Sequence, residues 1–445
     1  MTGVRQPRQH TLPLLFVAFV TGVAPALAQT PLTLEDAMKR AQGETAGARA
    51  LASAVDEADA RIQRAQSGYW PRVDVTETVE RGDHPVFVFS SLLSQRQFTA
   101  ANFALPALNH PAPVTNTRTA VAIDQAVFDA GLTRLGVEAA RLDRDLATAT
   151  RDAARQDLAF QAAQAFVRVL QLEATVRATD AAVAAAESDR QRARARGDGG
   201  LVTEADVLAV DVHLADMRQR QIAAAGDLAV ARIQLADAVG LPLTASVVPL
   251  RPAPRPASAD GDALVGEALM THPQLRQANV HLQLADNGRR TARAALLPTV
   301  GLHGGWEFNG ATLGAQESSW VIGADVRVNL FRGFADAARM AEANYAHVRA
   351  SAESERVQRR VEVDVRGALA QLAAARARED AGKAALIQAR ESQRIIRDRY
   401  DSGLATVTEV LRAAEAALDA ESRATAAEMD VILQTVALDR ARGRL

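Results

Sequence analysis

The residues of this chain that are equipped for chemistry are not arranged to perform it. His84, His110, His213, His272, His281, His303 and His347 are dispersed, and no His-x-x-x-His pair or carboxylate–histidine cluster has the spacing a metal ion requires. There is no cysteine, which excludes thiolate ligands, thiol nucleophiles and disulfides together. Neither a phosphate-cradling G-x-x-x-x-G-K-S/T run nor a G-x-S-x-G nucleophile elbow occurs. Gly304-Gly305 lies inside an alternating segment and reads as a bend or close backbone approach. The chain therefore offers no catalytic residue, cofactor site or metal site, which points away from an enzyme and toward a protein that works by its shape.

That shape begins with export. Arg5 and Arg8 precede an apolar run from Leu14 to Val20, and Ala26-Leu27-Ala28 supplies small residues before Gln29. Residues 1–28 are thus expected to be a secretory signal peptide, the run falling short of the ~20 residues that a helical span needs. No later stretch is an uninterrupted apolar run of that length, so any membrane insertion must use β-strands. Hydrophobic residues make up 48% of the chain but aromatic ones only 4%, which favours long, closely packed helices over an aromatic-rich core. Lys and Arg total 51 against 53 for Asp and Glu, with no single-sign block, so no nucleic-acid footprint is present.

One unit is written twice. Phe128-Asp129-Ala130-Gly131 recurs at Phe331-Arg332-Gly333, Leu201–Leu208 recurs at Leu404–Leu411, and Gly240 recurs at Gly443, all at an offset of 203. The prolines that lead into the strands, Pro71 and Pro298, differ by 227, so the first copy carries about 24 extra residues. The fold expected is mostly α with a small β part. The first repeat, 29–240, comprises a helix (33–68), a β-hairpin (70–128), a very long helix (131–197) and a shorter helix (203–239). A proline-rich extended linker, 241–261, leads to the second repeat, 262–445, with a helix (262–296), a β-hairpin (298–331), a long helix (334–402) and a short one (405–442).

The strands carry the membrane signal. Trp320, Ile322, Ala324, Val326, Val328 and Leu330 fall on one face, while Val321, Gly323, Asp325, Arg327 and Asn329 fall on the other. Val300, Leu302, Trp306 and Phe308 alternate likewise, and all three tryptophans (Trp70, Trp306 and Trp320) lie in or beside these strands, as expected for membrane-interface aromatics in contact with lipid. Four strands cannot close a barrel in lipid, where an open edge is forbidden, so the chain must oligomerise if it inserts. In the shorter helices Val207, Val210, Leu214, Met217, Gln221, Ala224, Leu228, Ala231, Leu235 and Ala238 form a heptad seam, repeated from Val410 to Ala441.

Together these residues resemble the TolC-type outer membrane efflux family over nearly the whole mature chain. The resemblance is carried by Leu32-Thr33-Leu34-Glu35-Asp36-Ala37, Leu297-Pro298, Asn329-Leu330-Phe331-Arg332-Gly333, Tyr400-Asp401-Ser402-Gly403 and Thr408-Glu409-Val410-Leu411. It implies a homotrimer in the outer membrane that extends into the periplasm, with a 12-stranded transmembrane β-barrel above an α-barrel of long coiled-coil helices. It also implies a periplasmic adaptor and an inner-membrane pump as partners; the pump supplies the energy and the duct passes small molecules passively. Type I protein secretion is the alternative cargo class, and a periplasmic coiled-coil scaffold without a channel is the alternative of another kind. By the same resemblance Asp206, Tyr400 and Glu409, with the turn glycines Gly200 and Gly403, form the periplasmic gate. The resemblance stops at Ala405, where the family has a latch arginine, and at Arg412, where it has a second constriction acid. The apolar insert at 84–114, containing Pro85-Val86-Phe87-Val88-Phe89 and Phe98 to Leu108, stays open between a hairpin extension, a plug and a recognition loop.

Overall fold

A computed structural model of the chain describes residues 30–245, 247–253 and 260–445; the expected signal peptide lies outside the described residues. The first repeat contains β1 (Thr30–Leu32), α1 (Leu34–Gly43), α2 (Ala46–Gln66), β2 (Arg72–Gly82), α3 (Pro85–Ser94), α4 (Leu105–Asn109), β3 (Val114–Phe128), α5 (Leu132–Asp198) and α6 (Glu204–Ala238). Then follow β4 (Val247–Pro249), α7 (Gly261–Thr271), α8 (Pro273–Ala294), β5 (Thr299–Thr312), β6 (Ala315–Arg327), α9 (Ala335–Asp401) and α10 (Val407–Ala441). The two long helices have 67 residues each, about 100 Å at 1.5 Å per residue.

Each opening helix, expected as one piece, is broken in two. In the first repeat Thr45 caps α2 by accepting from the Ala48 amide at 3.2 Å. In the second, Pro273 cannot donate to the preceding turn, and His272 Nδ1 accepts from the Gln274 amide at 3.3 Å. The breaks are seats for the ends of the shorter helices. Gly240 (φ +71) ends α6 with a Cβ position 3.3 Å from the Glu44 carbonyl, and Gly443 (φ +73) stands 3.1 Å from the His272 Cα in the same way. A Cβ at either position would press on backbone more tightly than ordinary contact, and the left-handed φ adds strain for any other residue. The linker expected to be merely extended contains β4, which pairs in parallel with β1.

The heptad seams face the long helices. Val210, Leu214, Met217, Ala224, Leu228, Ala231 and Leu235 are buried, and Gln221 reaches the Asp180 carboxylate at 2.7 Å. The largest core cluster gathers Phe166, Val169, Leu235, Val239 and Val247 near the middle of α5, with the small sheet of β1 and β4 against it. A smaller counterpart joins Leu264, Val265, Val361, Val365, Leu372 and Leu438. Alanine dominates the rest, so helix axes approach closely and little apolar area is buried per residue.

Four strands form one antiparallel sheet in the order β2-β3-β5-β6. The last strand, expected over Trp320 to Leu330, instead starts as β6 at Ala315 and stops at Arg327. The reason lies in its partner: Thr299 pairs with Arg327, and the next residue, Pro298, has no N–H to extend the ladder. The first hairpin, 70–128, is interrupted by the insert, which is helical in α3 and α4.

Candidate functional site

The sheet has two chemically distinct faces. Register places Val73, Val75, Val79, Val121, Ile123, Val300, Leu302, Trp306, Phe308, Trp320, Ile322 and Val326 on one side. The other side carries Asp74, Thr76, Thr78, Glu80, Arg118, Asp124, His303, Glu307, Asn309, Asp325 and Arg327. The apolar side chains are largely exposed, with Val75 70% and Ile322 72% accessible. On the polar face Arg118 pairs with Glu307, and His303 faces Asp325 at 3.7 Å. Apart from Glu77, Gln125 and a few hydroxyl and amide side chains toward the β5–β6 turn, this face is apolar and open, which suits a nonaqueous neighbour, whereas the opposite face is suited to water.

Aromatic residues mark two levels on the apolar side. Trp306 and Trp320 are directly opposed across β5 and β6, and Trp306 stacks on Phe308 with centroids 6.0 Å apart. Trp70, 75% exposed, stands at the helical end of the sheet beside exposed Tyr69, and exposed Phe128, Phe331 and Phe334 lie where β3 and β6 run on toward their long helices. Six residues of β5 separate Trp306 from Val300, the partner of Phe128, which is about 20 Å of strand. At 11 to 15 residues, every strand is long enough to cross a bilayer at a tilt. Among the described residues no helix is long and apolar enough to do so.

The far ends of the long helices hold the residues expected at the gate. Gly200 and Gly403 adopt φ of +70° and +75°, closing both helical turns. Thr203 and Asp206 form a capping box in which Asp206 Oδ2 accepts from the Thr203 amide at 3.0 Å and hydroxyl at 2.8 Å. Thr406 and Glu409 repeat it at 2.7 and 2.9 Å. The threonine hydroxyl and amide hold the Asp206 carboxyl below its ordinary range, and the Thr406 amide, then its hydroxyl, do so for Glu409. Both acids thus serve their own helices first and stay ionised.

Tyr400 is placed differently. It is 6% exposed, inside a cluster with Ala193, Val210, Val407 and Val410 that joins all four helices of the two turns, and Ala405 packs against that cluster. Its hydroxyl is buried without a hydrogen-bond partner among the described residues. Arg196 lies over its ring, 4.6 Å from the centroid, and donates to its backbone carbonyl.

Arg196 belongs to a set of cross-repeat ties that the motifs did not reveal. Arg397 Nη2 reaches Asp189 Oδ2 at 3.1 Å, and Arg192 stands 3.7 Å from Asp401. Arg220 binds Glu415 at 3.0 Å, joining α6 to α10. The repeat offset does pair Arg196 with Arg399, but Arg399 instead donates to the Leu404 carbonyl of its own turn at 3.2 Å. Equivalent positions have taken different partners.

The comparisons with known proteins agree with this architecture. The family model for outer membrane efflux proteins matches residues 40–241 and 264–444. The outer membrane efflux protein BepC of Brucella suis is 25% identical over 439 residues, which cover 97% of this chain and 89% of that protein. Protein CyaE of Bordetella pertussis is 28% identical over 75% of this chain and 72% of its own length. Among solved structures, the outer membrane protein VceC of Vibrio cholerae superposes with a TM-score of 0.75 at 18% identity, covering 92% of this chain and 96% of that one. The CmeC outer membrane channel of Campylobacter jejuni gives 0.77 at 16%, covering 92% and 85%. With a family model spanning both repeats, the chain belongs to the outer membrane efflux protein family.

Proposed function

We propose that three copies of this chain close into a passive exit duct through the outer membrane, receiving small molecules from an inner-membrane pump by way of a periplasmic adaptor. The observation that carries this reading is the sheet: one apolar face, one polar face, and two edges, on β2 and β6, that pair with no strand among the described residues. In lipid each unpaired amide costs several kcal/mol, so the edges must meet neighbouring copies. Four strands from each of three chains make 12, with the polar faces inward around water.

The helices impose the same requirement. Leu208, Val212, Ile222 and Ile233 of α6 are exposed and fall within about 40° of one line on the helix. The buried seam of Val210, Met217, Ala224 and Leu235 lies on the opposite side. A helix with two apolar faces has two neighbours, one within the chain and one in the next copy. The duct narrows at the helical turns, where Asp206 and Glu409 present a lasting negative charge beside Gly200 and Gly403, and Tyr400 holds the two turns together. The chain carries no energy-converting motif, so the pump supplies the work.

Fractionation followed by planar-bilayer recording tests the proposal. A heat-modifiable oligomer in the outer-membrane fraction that conducts ions is expected. A soluble periplasmic monomer without conductance would instead establish a scaffold. For the gate, Asp206→Ala with Glu409→Ala should lower cation preference in the same recording, and unchanged selectivity would remove these acids from the constriction.

A further inference from the structure

The apolar insert has a definite seat, and three observations place it on the polar face of the sheet. Gln95, 2% exposed at the end of α3, donates to the Asn116 Oδ1 at 2.9 Å, and Asn116 donates on to Asn309 Oδ1 at 3.0 Å. Both asparagines share a face with Arg118 and Glu307. Arg96 reaches across to the Ser318 carbonyl at 3.0 Å and to Glu317, which is on that face too. A Cβ on Gly82, at the end of β2, would meet the Phe87 ring at 3.6 Å. The helix α3 turns Val88, Ser91 and Gln95 toward the sheet and leaves Val86 and Leu93 exposed on its other side, with Phe103 and Leu105 exposed beyond.

We infer that the insert is an inward-folded stopper, and that its exposed apolar side packs against the inserts of the other two copies to close the outer mouth of the barrel. This rests on the trimeric duct proposed above. Twelve strands spaced about 4.8 Å apart and tilted about 40° enclose a bore about 24 Å across between backbones. Three helices of about 10 Å diameter in mutual contact fill a circle about 22 Å across. Inserts one helix thick on the inner wall therefore meet at the axis. A polar lumen would leave Val86, Leu93, Phe103 and Leu105 in water, whereas mutual contact buries them. The occupant of this apolar side is thus a second copy of the chain, continuous with the interface that the strand edges demand. The anchor is a chain of amides and the exposed Arg96–Glu317 pair rather than a packed core, which suits a part that must swing aside when cargo leaves.

Because the chain has no cysteine, single cysteines report cleanly. Ser319→Cys places a thiol on the polar face below the insert, two residues in from Glu317. In cells, a membrane-impermeant maleimide added outside should label it at least tenfold faster when residues 83–113 are replaced by Asn-Gly, a turn that joins the paired residues Gly82 and Val114. Gln95→Ala, which keeps the insert but cuts its anchor, should also raise labelling, and both variants should raise single-channel conductance. Leu105→Cys in the otherwise intact chain should form a disulfide-linked dimer within the trimer upon oxidation. A heat-modifiable trimer whose labelling and conductance are unchanged in both variants, with no Leu105→Cys crosslink, would overturn the stopper and leave the duct standing. Absence of any trimer or pore would overturn the duct and the stopper together.

Discussion

At the scale of single residues, the structure turns on backbone conformations and caps that each repeat solves with different side chains. Ala130 and Gly131 have φ of +56° and +82° at the first strand-to-helix turn; Gly333 and Phe334 have +58° and +67° at the second. The turn is the same, but the glycine occupies opposite positions in it. A left-handed alanine costs about 1–2 kcal/mol, so Ala130→Gly should stabilise this turn by about 1 kcal/mol net of the added unfolded-state entropy. Slower hydrogen exchange in the first turn of α5 would show the gain, and faster exchange would refute it. The capping threonines make a second case. Thr203→Ala or Thr406→Ala should each cost about 1 kcal/mol of local helix stability, read as roughly fivefold faster exchange at 204–210 or 407–413. The same boxes set a pH response. Asp206 and Glu409 are held below their ordinary values when folded, so the unfolded chain binds more protons as the pH falls. Their stabilisation is complete above the ordinary carboxylate range, near pH 4, and disappears as the pH drops through the lowered values. Protection at the two turns, corrected for intrinsic exchange, should stay level down to about pH 5 and then decline. A decline already under way between pH 7 and 6 would sink this assignment.

At the scale of elements, the sequence was most readable where one local rule decides the outcome. The long helices follow from proline-free stretches, their seams from spacings of three and four, and the sheet faces from strict alternation, all visible before any contact is known. Where the structure departs from the local pattern, the cause is tertiary. Nothing local requires the 33–68 helix to break at Thr45; the break exists because Gly240 of α6 arrives there from nearly two hundred residues away. The end of β6 at Arg327 is decided by Pro298 in its partner strand, not by its own alternation. The cross-repeat ties are less readable still, since Arg196 and Arg399 stand at equivalent sequence positions and only packing gives the first to Tyr400. Tyr400 itself was legible as a position beside the turn but not as a core residue. The tie between Arg397 and Asp189 can be tested at this scale. Asp189 is largely buried, so Asp189→Ala leaves an arginine facing a low-polarity site. A lost partner of this kind costs about 1–3 kcal/mol, which predicts fivefold to hundredfold faster exchange over the last turn of α9. Combining it with Arg397→Ala should add little, and strict additivity of the two effects would show that the pair does not couple α5 to α9.

At the scale of the whole molecule, the chain is incomplete in a consistent way. The sheet has an apolar face, a polar face and two edges unpaired among the described residues, and α6 has two apolar seams where a solitary helical hairpin needs one. Each incompleteness alone has other solutions; an edge can be blunted and an apolar stripe can bind lipid. They extend, however, along one molecule from the strands to the helical turns, and a closed ring of copies satisfies them all with one operation. The outer seam of α6 separates assembly from folding, because Ile222 is 72% exposed in the single chain and would be buried only by a neighbour. Ile222→Asp should therefore leave the helix content of the chain unchanged while burying a lone carboxylate at every contact between copies. Such burial costs several kcal/mol per contact, three times around the proposed ring. The oligomer should accordingly dissociate at a clearly lower temperature on a semi-denaturing gel, and outer-membrane insertion should fall with it. Retention of the full thermal resistance would place Ile222 outside the contact between copies. The exposed seam would then have to face the adaptor, and the strand edges alone would carry the assembly.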